Sequence, residues 1–174
     1  MRAKSGGAGS GSTFIISLPI SVVRSLTAGE PRHHPTASIE TDVPPCPDLS
    51  GVHVMVVDDD QDALELVKRV LENCNATVTI CESGADCITT LSTLRPSVLI
   101  TDIGMPQMDG YSLIKAVRAL PPEAGGATPA LALTAHARSE DRRRAMLSGF
   151  DIHVARPVEP SELLAVVARL ARRS

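Results

Sequence analysis

The feature that most constrains the fold is a regular alternation of short apolar segments with amphipathic segments, which begins at Gly51. The apolar segments are about five residues long and rich in β-branched side chains, as is typical of buried strands. The amphipathic segments repeat their apolar residues at helical spacing. Five such strand–helix units predict an α/β protein with a doubly wound parallel sheet, because right-handed crossovers place helices on both faces.

The apolar segments predict five strands, at 52–57, 76–81, 98–102, 130–134 and 152–155. A helix opening at Asp60 or Gln61 is predicted to bury one face, made of Ala63, Leu66, Val67, Val70 and Leu71. The second helix is expected to bury Gly84, Cys87, Ile88 and Leu91. The third and fourth helices are predicted at 109–120 and 139–147. The last helix is expected to bury Leu163, Val166, Val167 and Leu170. Pro121-Pro122 and Gly149 are predicted helix ends.

The composition divides the chain into three parts. Residues 1–20 begin with a glycine- and serine-rich stretch and continue into one strand candidate, Thr13 to Pro19. Residues 21–50 are rich in Pro, Ser and Thr, which is typical of a disordered linker. Residues 51–174 hold the alternating pattern and form the predicted domain. An isolated hairpin is marginal in water, so the first part is not expected to fold alone.

Charge and aromatic content exclude several classes of function. Seventeen basic residues against 20 acidic ones give a net charge of −3, which leaves no general nucleic-acid footprint. Only Phe14, Tyr111 and Phe150 are aromatic, too few for a base-stacking surface. No apolar run is long enough to span a bilayer and no signal peptide opens the chain. The sequence therefore predicts a cytoplasmic protein that makes no membrane contact.

The four cysteines, Cys46, Cys74, Cys81 and Cys87, lack the close paired spacing of a zinc site. In a reducing cytoplasm, disulfides are rare. We therefore expect Cys74, Cys81 and Cys87 to be small, buried or half-buried apolar residues.

Acidic side chains follow two of the predicted strands. Asp58 and Asp59 end the first strand and Asp102 ends the third, while Thr134 and Arg156 end the fourth and fifth. The carboxyl ends of parallel strands meet at one edge, where open α/β sheets place their ligands. Two unit charges about 4 Å apart repel by roughly 4 kcal/mol at an effective dielectric near 20, a cost that a divalent cation would remove. The all-oxygen ligand set suits Mg²⁺, and the arrangement suits phosphoryl transfer to Asp102.

A plainer interpretation assigns the acids to helix capping. An acidic cap accounts for one residue of Asp58-Asp59-Asp60 but not for three. Asp109 precedes the periodic run of the third helix and is better placed than Asp102 as a cap. Asp102 is thereby left without a structural task, which favours a functional one.

Four motifs in this order resemble the receiver domains of two-component response regulators, over roughly residues 52–171. They are Val56-Val57-Asp58-Asp59, the run from Asp102 to Gly110 (DIGMPQMDG), Leu133-Thr134-Ala135 and Arg156-Pro157. The resemblance implies a flavodoxin-like fold with sheet order 2-1-3-4-5. It also implies that Asp102 is the phosphoacceptor and that Mg²⁺ is the cofactor.

The resemblance assigns the remaining site residues as well. Asp58, Asp59, Asp102 and the backbone carbonyl of Gly104 would hold Mg²⁺. Thr134 would be the switch hydroxyl, and His153 falls where the family often keeps a rotating aromatic side chain. The family normally has lysine where this chain has Arg156, which retains the charge but replaces an ammonium with a planar guanidinium.

The segment Gly9 to Pro19 is similar to the last hairpin of histidine-kinase ATP-binding domains, although a flexible leader would have the same composition. A hairpin, a linker and then a receiver is the order of hybrid sensor kinases, so residues 1–20 are interpreted as a remnant of the kinase domain. No phosphoacceptor-histidine helix or nucleotide-binding box is present, so the chain is not expected to act as an independent enzyme beyond Mg²⁺-dependent self-phosphorylation and dephosphorylation.

Two functions remain open at this point. The first is a receiver that takes a phosphoryl group from a histidine kinase or a histidine phosphotransfer protein and changes its protein contacts, including those with a second copy of itself. The second is a pseudo-receiver, an interaction module independent of phosphorylation. The three acids and Thr134 favour the first, and Arg156 is the feature that favours the second.

Overall fold

The computed structural model describes residues 2–5, 12–15, 46–135 and 139–172. Its strands are β1 (Arg2–Ser5), β2 (Ser12–Ile15), β3 (His53–Val57), β4 (Thr77–Cys81), β5 (Val98–Asp102), β6 (Ala130–Thr134) and β7 (Ile152–Ala155). Its helices are α1 (Gln61–Glu72), α2 (Gly84–Leu94), α3 (Gly110–Arg118), α4 (Ser139–Ser148) and α5 (Pro160–Ala171), with a short 3₁₀ helix at Pro122–Ala124.

Strands β3 to β7 form one parallel sheet in the order β4-β3-β5-β6-β7. Numbered within this sheet, that order is 2-1-3-4-5, so the predicted α/β doubly wound fold is confirmed. From the centre of the sheet, β4 is added on one side of β3, and β6 and β7 are added on the other side of β5. The carboxyl ends of β3 and β5, where the strand order changes direction, are therefore the expected place for a ligand.

Each central strand contributes alternate side chains to two different cores. In β3, Val54 and Val56 pack with residues of α1 and α5, whereas Met55 and Val57 pack with residues of α2 and α3. All four side chains are buried, and full burial of a Val or Met side chain contributes about 1.5–3 kcal/mol. This double burial explains why the strands have continuous apolar sequences and why they hold the residues that follow them in fixed positions.

Among the helices whose preceding residue is described, α1, α2 and α3 begin at a side chain that caps their free N–H groups. Asp60 accepts hydrogen bonds from the backbone N–H groups at the start of α1, Ser83 from that of Asp86 in α2, and Asp109 from that of Ser112 in α3. The interpretation of Asp109 as a helix cap is confirmed. Of the three consecutive aspartates after β3, Asp60 caps α1, whereas Asp58 and Asp59 are not helix caps.

The buried face of α1 differs from the predicted one. Leu64, Val67 and Leu71 are buried, while Leu66 is 65% exposed, so its predicted burial is wrong. A run containing Ala63, Leu64, Leu66 and Val67 fits two helical stripes that differ by about one residue, a rotation of roughly 100°. The position of the sheet beneath the helix decides between them.

Packing of the main domain begins before residue 51, where the sequence placed its start. Leu49 is buried, and its backbone N–H donates to the carbonyl of Cys74 at 2.8 Å. Cys46 forms a disulfide with Cys74, and their Cα atoms are 5.8 Å apart. Cys74 is buried, as predicted, but the expectation that it takes no part in a disulfide is wrong, because the chain before β3 returns to the end of α1.

Cys81 and Cys87 are free and buried, as predicted. Burial raises the pKa of Cys81 to about 11 and that of Cys87 to about 12, so both thiols are protonated at neutral pH.

Strands β1 and β2 form a separate antiparallel pair, with Arg2 opposite Ile15 and Ser5 opposite Ser12. The sequence predicted a strand at the second of these and did not expect the pair to fold alone. Residues 16–45, which include most of the predicted linker, lie outside the described residues. Within the described part of the chain, no helix combines the length and apolar character needed to cross a membrane.

Candidate functional site

The first part of the site is the end of β3, where three consecutive aspartates occupy three different environments. Asp58 is only 2% exposed, whereas Asp59 and Asp60 are exposed. The Oδ1 atom of Asp58 accepts a hydrogen bond from the backbone N–H of Asp60 at 3.0 Å. This bond fixes the Asp58 carboxylate toward the sheet edge while Asp60 turns away to cap α1.

The second part is the end of β5, where Asp102 lies between a buried strand and a tight loop. Its Oδ2 atom accepts a hydrogen bond from the backbone N–H of Gly104 at 2.5 Å. The loop then returns, because the N–H of Gly110 donates to the carbonyl of Ile103 at 3.0 Å. A Cβ atom at position 110 would lie 2.5 Å from the Asp102 carbonyl oxygen, so only glycine permits this close approach.

The two strand ends bring three carboxylates together. Oxygen atoms of Asp58, Asp59 and Asp102 lie within 4.8 Å of one another. Burial raises the pKa of Asp102, and the nearby charges of Asp58 and Asp59 act in the same direction, while Arg156 and the Gly104 N–H oppose them. The group is polar, all-oxygen and open to solvent at Asp59, a donor set that fits a hard divalent cation such as Mg²⁺.

Arg156, directly after β7, bridges the two buried carboxylates. Its Nη2 atom forms an ion pair with Oδ2 of Asp58, and its Nη1 atom lies 3.2 Å from Oδ1 of Asp102. Its backbone N–H donates to the carbonyl of Thr134 at 2.7 Å, which holds the end of β7 against the end of β6. The guanidinium thus belongs to the acidic group itself, a contact that the sequence did not predict.

Thr134 and His153 take different positions relative to this group. Thr134 is buried and is the last residue of β6, which pairs with β5. Thr134 therefore lies at the same edge of the sheet as Asp102. His153 lies within β7 rather than at its end and pairs in register with Ala132. Its Nε2 atom is buried without a hydrogen-bond partner among the described residues, and burial lowers the pKa of its imidazole.

A second charged group, at the opposite edge of the sheet, was missed by sequence reasoning. Arg118, at the end of α3, donates to the carbonyls of Gly126, Thr128 and Gly149 at 2.8–2.9 Å and forms an ion pair with Asp151 at 3.2 Å. Its partners are 8 to 33 residues away along the chain, so no local pattern reveals them. The contacts connect loops and strand starts, which is a structural task.

The arginines of α4 differ in their surroundings. The guanidinium of Arg144 lies over the ring of Tyr111 in α3, 4.1 Å from its centroid. Such a contact contributes about 0.5–1 kcal/mol at an exposed site. It attaches α4 to α3 through a cation rather than through a broad apolar face.

The chain matches the family model described as the response regulator receiver domain over residues 54–168. It is 42% identical over 119 residues to an uncharacterised 14.6 kDa protein of Leptolyngbya boryana, covering 68% of this chain and 89% of that protein. It is 30% identical over 133 residues to the sensor protein GacS of Pseudomonas syringae pv. syringae, covering 76% of this chain and 15% of GacS.

Several other curated relatives are matched over about half of their own length, 52% in each case. Among solved structures, the Vibrio cholerae chemotaxis protein CheY4 has a TM-score of 0.64 and 27% identity, covering 68% of this chain and 98% of that one. The region matched by the family model, residues 54–168, contains Asp58, Asp59, Asp102 and Arg156.

Proposed function

Since the chain belongs to the response-regulator receiver family of two-component signalling, we propose that it accepts a phosphoryl group from a phosphohistidine onto Asp102. The observation that carries the proposal is the position of Asp102, a carboxylate at the end of a fully buried strand with two further carboxylates beside it. Asp102 has no capping task, since Asp109 caps the following helix. A carboxylate placed in this way is a nucleophile with its orientation already fixed.

Asp58, Asp59, Asp102 and the backbone carbonyl of Gly104 are proposed to hold Mg²⁺. Bound there, the ion would neutralise charge shared by the carboxylates and the phosphoryl oxygens. The chain's own contribution is to keep the acids close: the N–H groups of Asp60 and Gly104 each hold one carboxylate oxygen in place.

In the proposed reaction, one carboxylate oxygen of Asp102 attacks the phosphorus of a phosphohistidine. An O–P bond forms and the P–N bond breaks, and the electron pair of that bond stays on the departing imidazole nitrogen. The product is an acyl phosphate on Asp102. Thr134 and Arg156 would then contact phosphoryl oxygens, the first through its hydroxyl and the second through charge-assisted hydrogen bonds.

The donor is proposed to be a histidine kinase or a histidine phosphotransfer protein. A hybrid-kinase origin is supported by the order of the chain, hairpin then linker then receiver, and by the match to the sensor protein GacS. In this proposal residues 1–20 derive from a kinase ATP-binding domain and 21–50 connect it to the receiver.

One observation favours the second function, an interaction module independent of phosphorylation. Arg156 already forms ion pairs with Asp58 and Asp102, the residues needed for metal binding and for phosphorylation. If that bridge were permanent, the pocket would be inert. The two functions therefore differ in whether Asp102 can be labelled at all.

The test is Mg²⁺-dependent labelling of the full chain by acetyl phosphate, followed by intact mass. We expect Asp102→Asn to abolish the labelling, because the variant removes the nucleophile. Asp60→Asn is the matched control: it makes the same chemical change two residues from Asp58, and asparagine also caps helices well. Labelling of Asp102→Asn at the wild-type rate would contradict the assignment, and absence of labelling in the wild type would favour the interaction module.

A further inference from the structure

The disulfide between Cys46 and Cys74 joins two residues in unlike surroundings. Cys46 is exposed, whereas Cys74 is only 3% exposed. An external thiolate breaks a disulfide by attacking one of its sulfur atoms, and the rate depends on access to that atom. The Sγ atom of Cys46 is therefore the point of attack, and the Sγ atom of Cys74 is the leaving group.

The segment that contains Cys46 is attached to the domain at a second place, which does not depend on the disulfide. Leu49 is buried and its backbone N–H donates to the carbonyl of Cys74 at 2.8 Å, while Oδ1 of Asp48 accepts from the side-chain amide of Asn75 at 3.2 Å. Residues 46 and 47 form no hydrogen bond to the described part of the chain. Cleavage of the disulfide thus frees these two residues and leaves the attachment at 48 and 49 in place.

The two residues that would be freed form part of the wall of an apolar groove beside α1 and α5. The groove has a volume of about 670 Å³, and its wall includes Cys46 and Pro47 together with Val70 of α1 and Leu164 and Ala168 of α5. Release of residues 46 and 47 therefore opens one side of the groove and exposes apolar side chains of the two helices.

We propose that Cys46 and Cys74 form a reversible thiol–disulfide switch, with a low-molecular-weight thiol such as glutathione as its reductant, and that reduction opens the groove beside α1 and α5 while the domain stays folded. The sequence predicts a reducing compartment, in which disulfides are transient rather than permanent. The disulfide lies after the end of α1, whereas Asp60 caps the start of this helix, roughly 18 Å away. The switch is thus independent of phosphorylation at Asp102 and does not rest on the proposed function.

The reduction takes place in two exchange steps. The thiolate of the first thiol attacks Sγ of Cys46, a mixed disulfide forms, and the electron pair of the broken bond stays on Sγ of Cys74, which takes up a proton. A second thiolate attacks the small-molecule sulfur of the mixed disulfide and releases Cys46 as a thiolate. Two thiols are oxidised to one disulfide while the protein gains two electrons and two protons, and the same steps in reverse restore the switch.

The first experiment equilibrates the native full chain with mixtures of reduced and oxidised glutathione, followed by acid quenching, alkylation and intact mass. We expect complete conversion between the disulfide and dithiol forms without denaturant. Cys74→Ala should form a glutathione adduct on Cys46 at least about tenfold faster than Cys46→Ser forms one on Cys74, because only Cys46 is exposed. Cys81→Ala, which removes a buried free thiol, is the control and should titrate like the wild type.

The second experiment compares methyl NMR spectra of the oxidised and reduced full chain. Signals of Val70 and Leu164, in the wall of the groove, should shift on reduction. Signals of Leu99 and Leu133, buried in the sheet, should stay in place because the fold is retained. If Cys74→Ala does not fold, the mixed disulfide trapped by acid on the wild type and located by peptide mass identifies the attacked sulfur.

A disulfide that glutathione reduces only after the chain is denatured would overturn the switch and leave a purely structural crosslink. Equal rates of adduct formation on Cys46 and Cys74 would overturn the order of attack. Loss of the Leu99 and Leu133 signals on reduction, or unmoved signals of Val70 and Leu164, would overturn the local opening. None of these results bears on labelling of Asp102, so the proposed function is tested separately.

Discussion

His153 is a single residue whose environment predicts a measurable pH effect. Burial lowers the pKa of its imidazole, Arg142 of α4 acts in the same direction, and Asp141 opposes them. The buried Nε2 atom has no hydrogen-bond partner among the described residues, so the neutral ring is the form that the fold tolerates. Protonation of the ring is therefore linked to unfolding.

The sign of the effect follows from linkage. Because the folded-state pKa lies below the ordinary value of 6.5, the unfolded chain binds the proton first as pH falls. The contribution of His153 to the free energy of unfolding is complete above that value and is lost as pH falls through the folded-state pKa. We expect His153→Phe to flatten the decline in stability as the pH falls below about 6.5.

Chemical denaturation at several pH values provides the measurement. Asp141→Asn should steepen the slope, because it removes the charge that favours the protonated ring. Identical pH slopes for the wild type and His153→Phe would show that this histidine does not titrate within the transition.

At the level of elements, α4 is held differently from the other helices. Ala145 is its one side chain in the buried apolar core among the described residues, while Met146 is 44% exposed and Leu147 is 77% exposed. Arg144 attaches the helix to Tyr111. A helix with so little apolar burial is attached weakly, which makes it the element most able to shift when the neighbouring strand ends change their contacts.

The Arg118 group has the opposite character and joins four segments rigidly. The guanidinium of Arg118, which belongs to α3, donates hydrogen bonds to the loop before β6, to the residue after α4 and to the residue before β7. We expect Arg118→Ala to lower the free energy of unfolding by about 2–4 kcal/mol, because three carbonyls and the Asp151 carboxylate lose a charged donor. Arg118→Lys should recover only part of that loss, since an ammonium cannot span the same set of acceptors.

Urea denaturation checks this prediction. Arg143→Ala on the exposed face of α4 is the control and should change stability by no more than about 0.5 kcal/mol. A change of that small size in Arg118→Ala would mean that water replaces the guanidinium at little cost.

At the scale of the whole molecule, the disulfide joins the segment before β3 to the end of α1. Cys46 and Cys74 are 28 residues apart in sequence, and closing a loop of that size restricts the unfolded chain. We expect reduction to lower the free energy of unfolding by about 2–4 kcal/mol. Thermal melts with and without a dithiol reductant measure the difference.

The double variant Cys46→Ser/Cys74→Ala is the control for that experiment. It should melt like the reduced wild type and should not respond to reductant. Cys81 and Cys87 are buried thiols with pKa values raised to about 11 and about 12, so they are not expected to contribute to the response. A wild type that melts identically under both conditions would show that the disulfide does not form in solution.

The sequence by itself determined the fold class and the residues that gather at the carboxyl edge of the sheet. Both depend on short-range patterns: strand and helix periods select the βα units, and parallel pairing then brings the ends of β3, β5, β6 and β7 to one edge. For this reason the sequence alone identifies Asp58, Asp102 and Thr134 as candidate site residues.

Tertiary structure alone decided which partners these residues have. Arg156 and Asp58 are 98 residues apart, and the sequence offers a charge at each position but no geometry between them. The same limit applies to the stripe that α1 buries, to the carbonyls around Arg118 and to the pairing of Cys46 with Cys74. Local periodicity fixes what each segment becomes, whereas contacts between distant segments depend on how strands and helices are positioned against one another in the packed core.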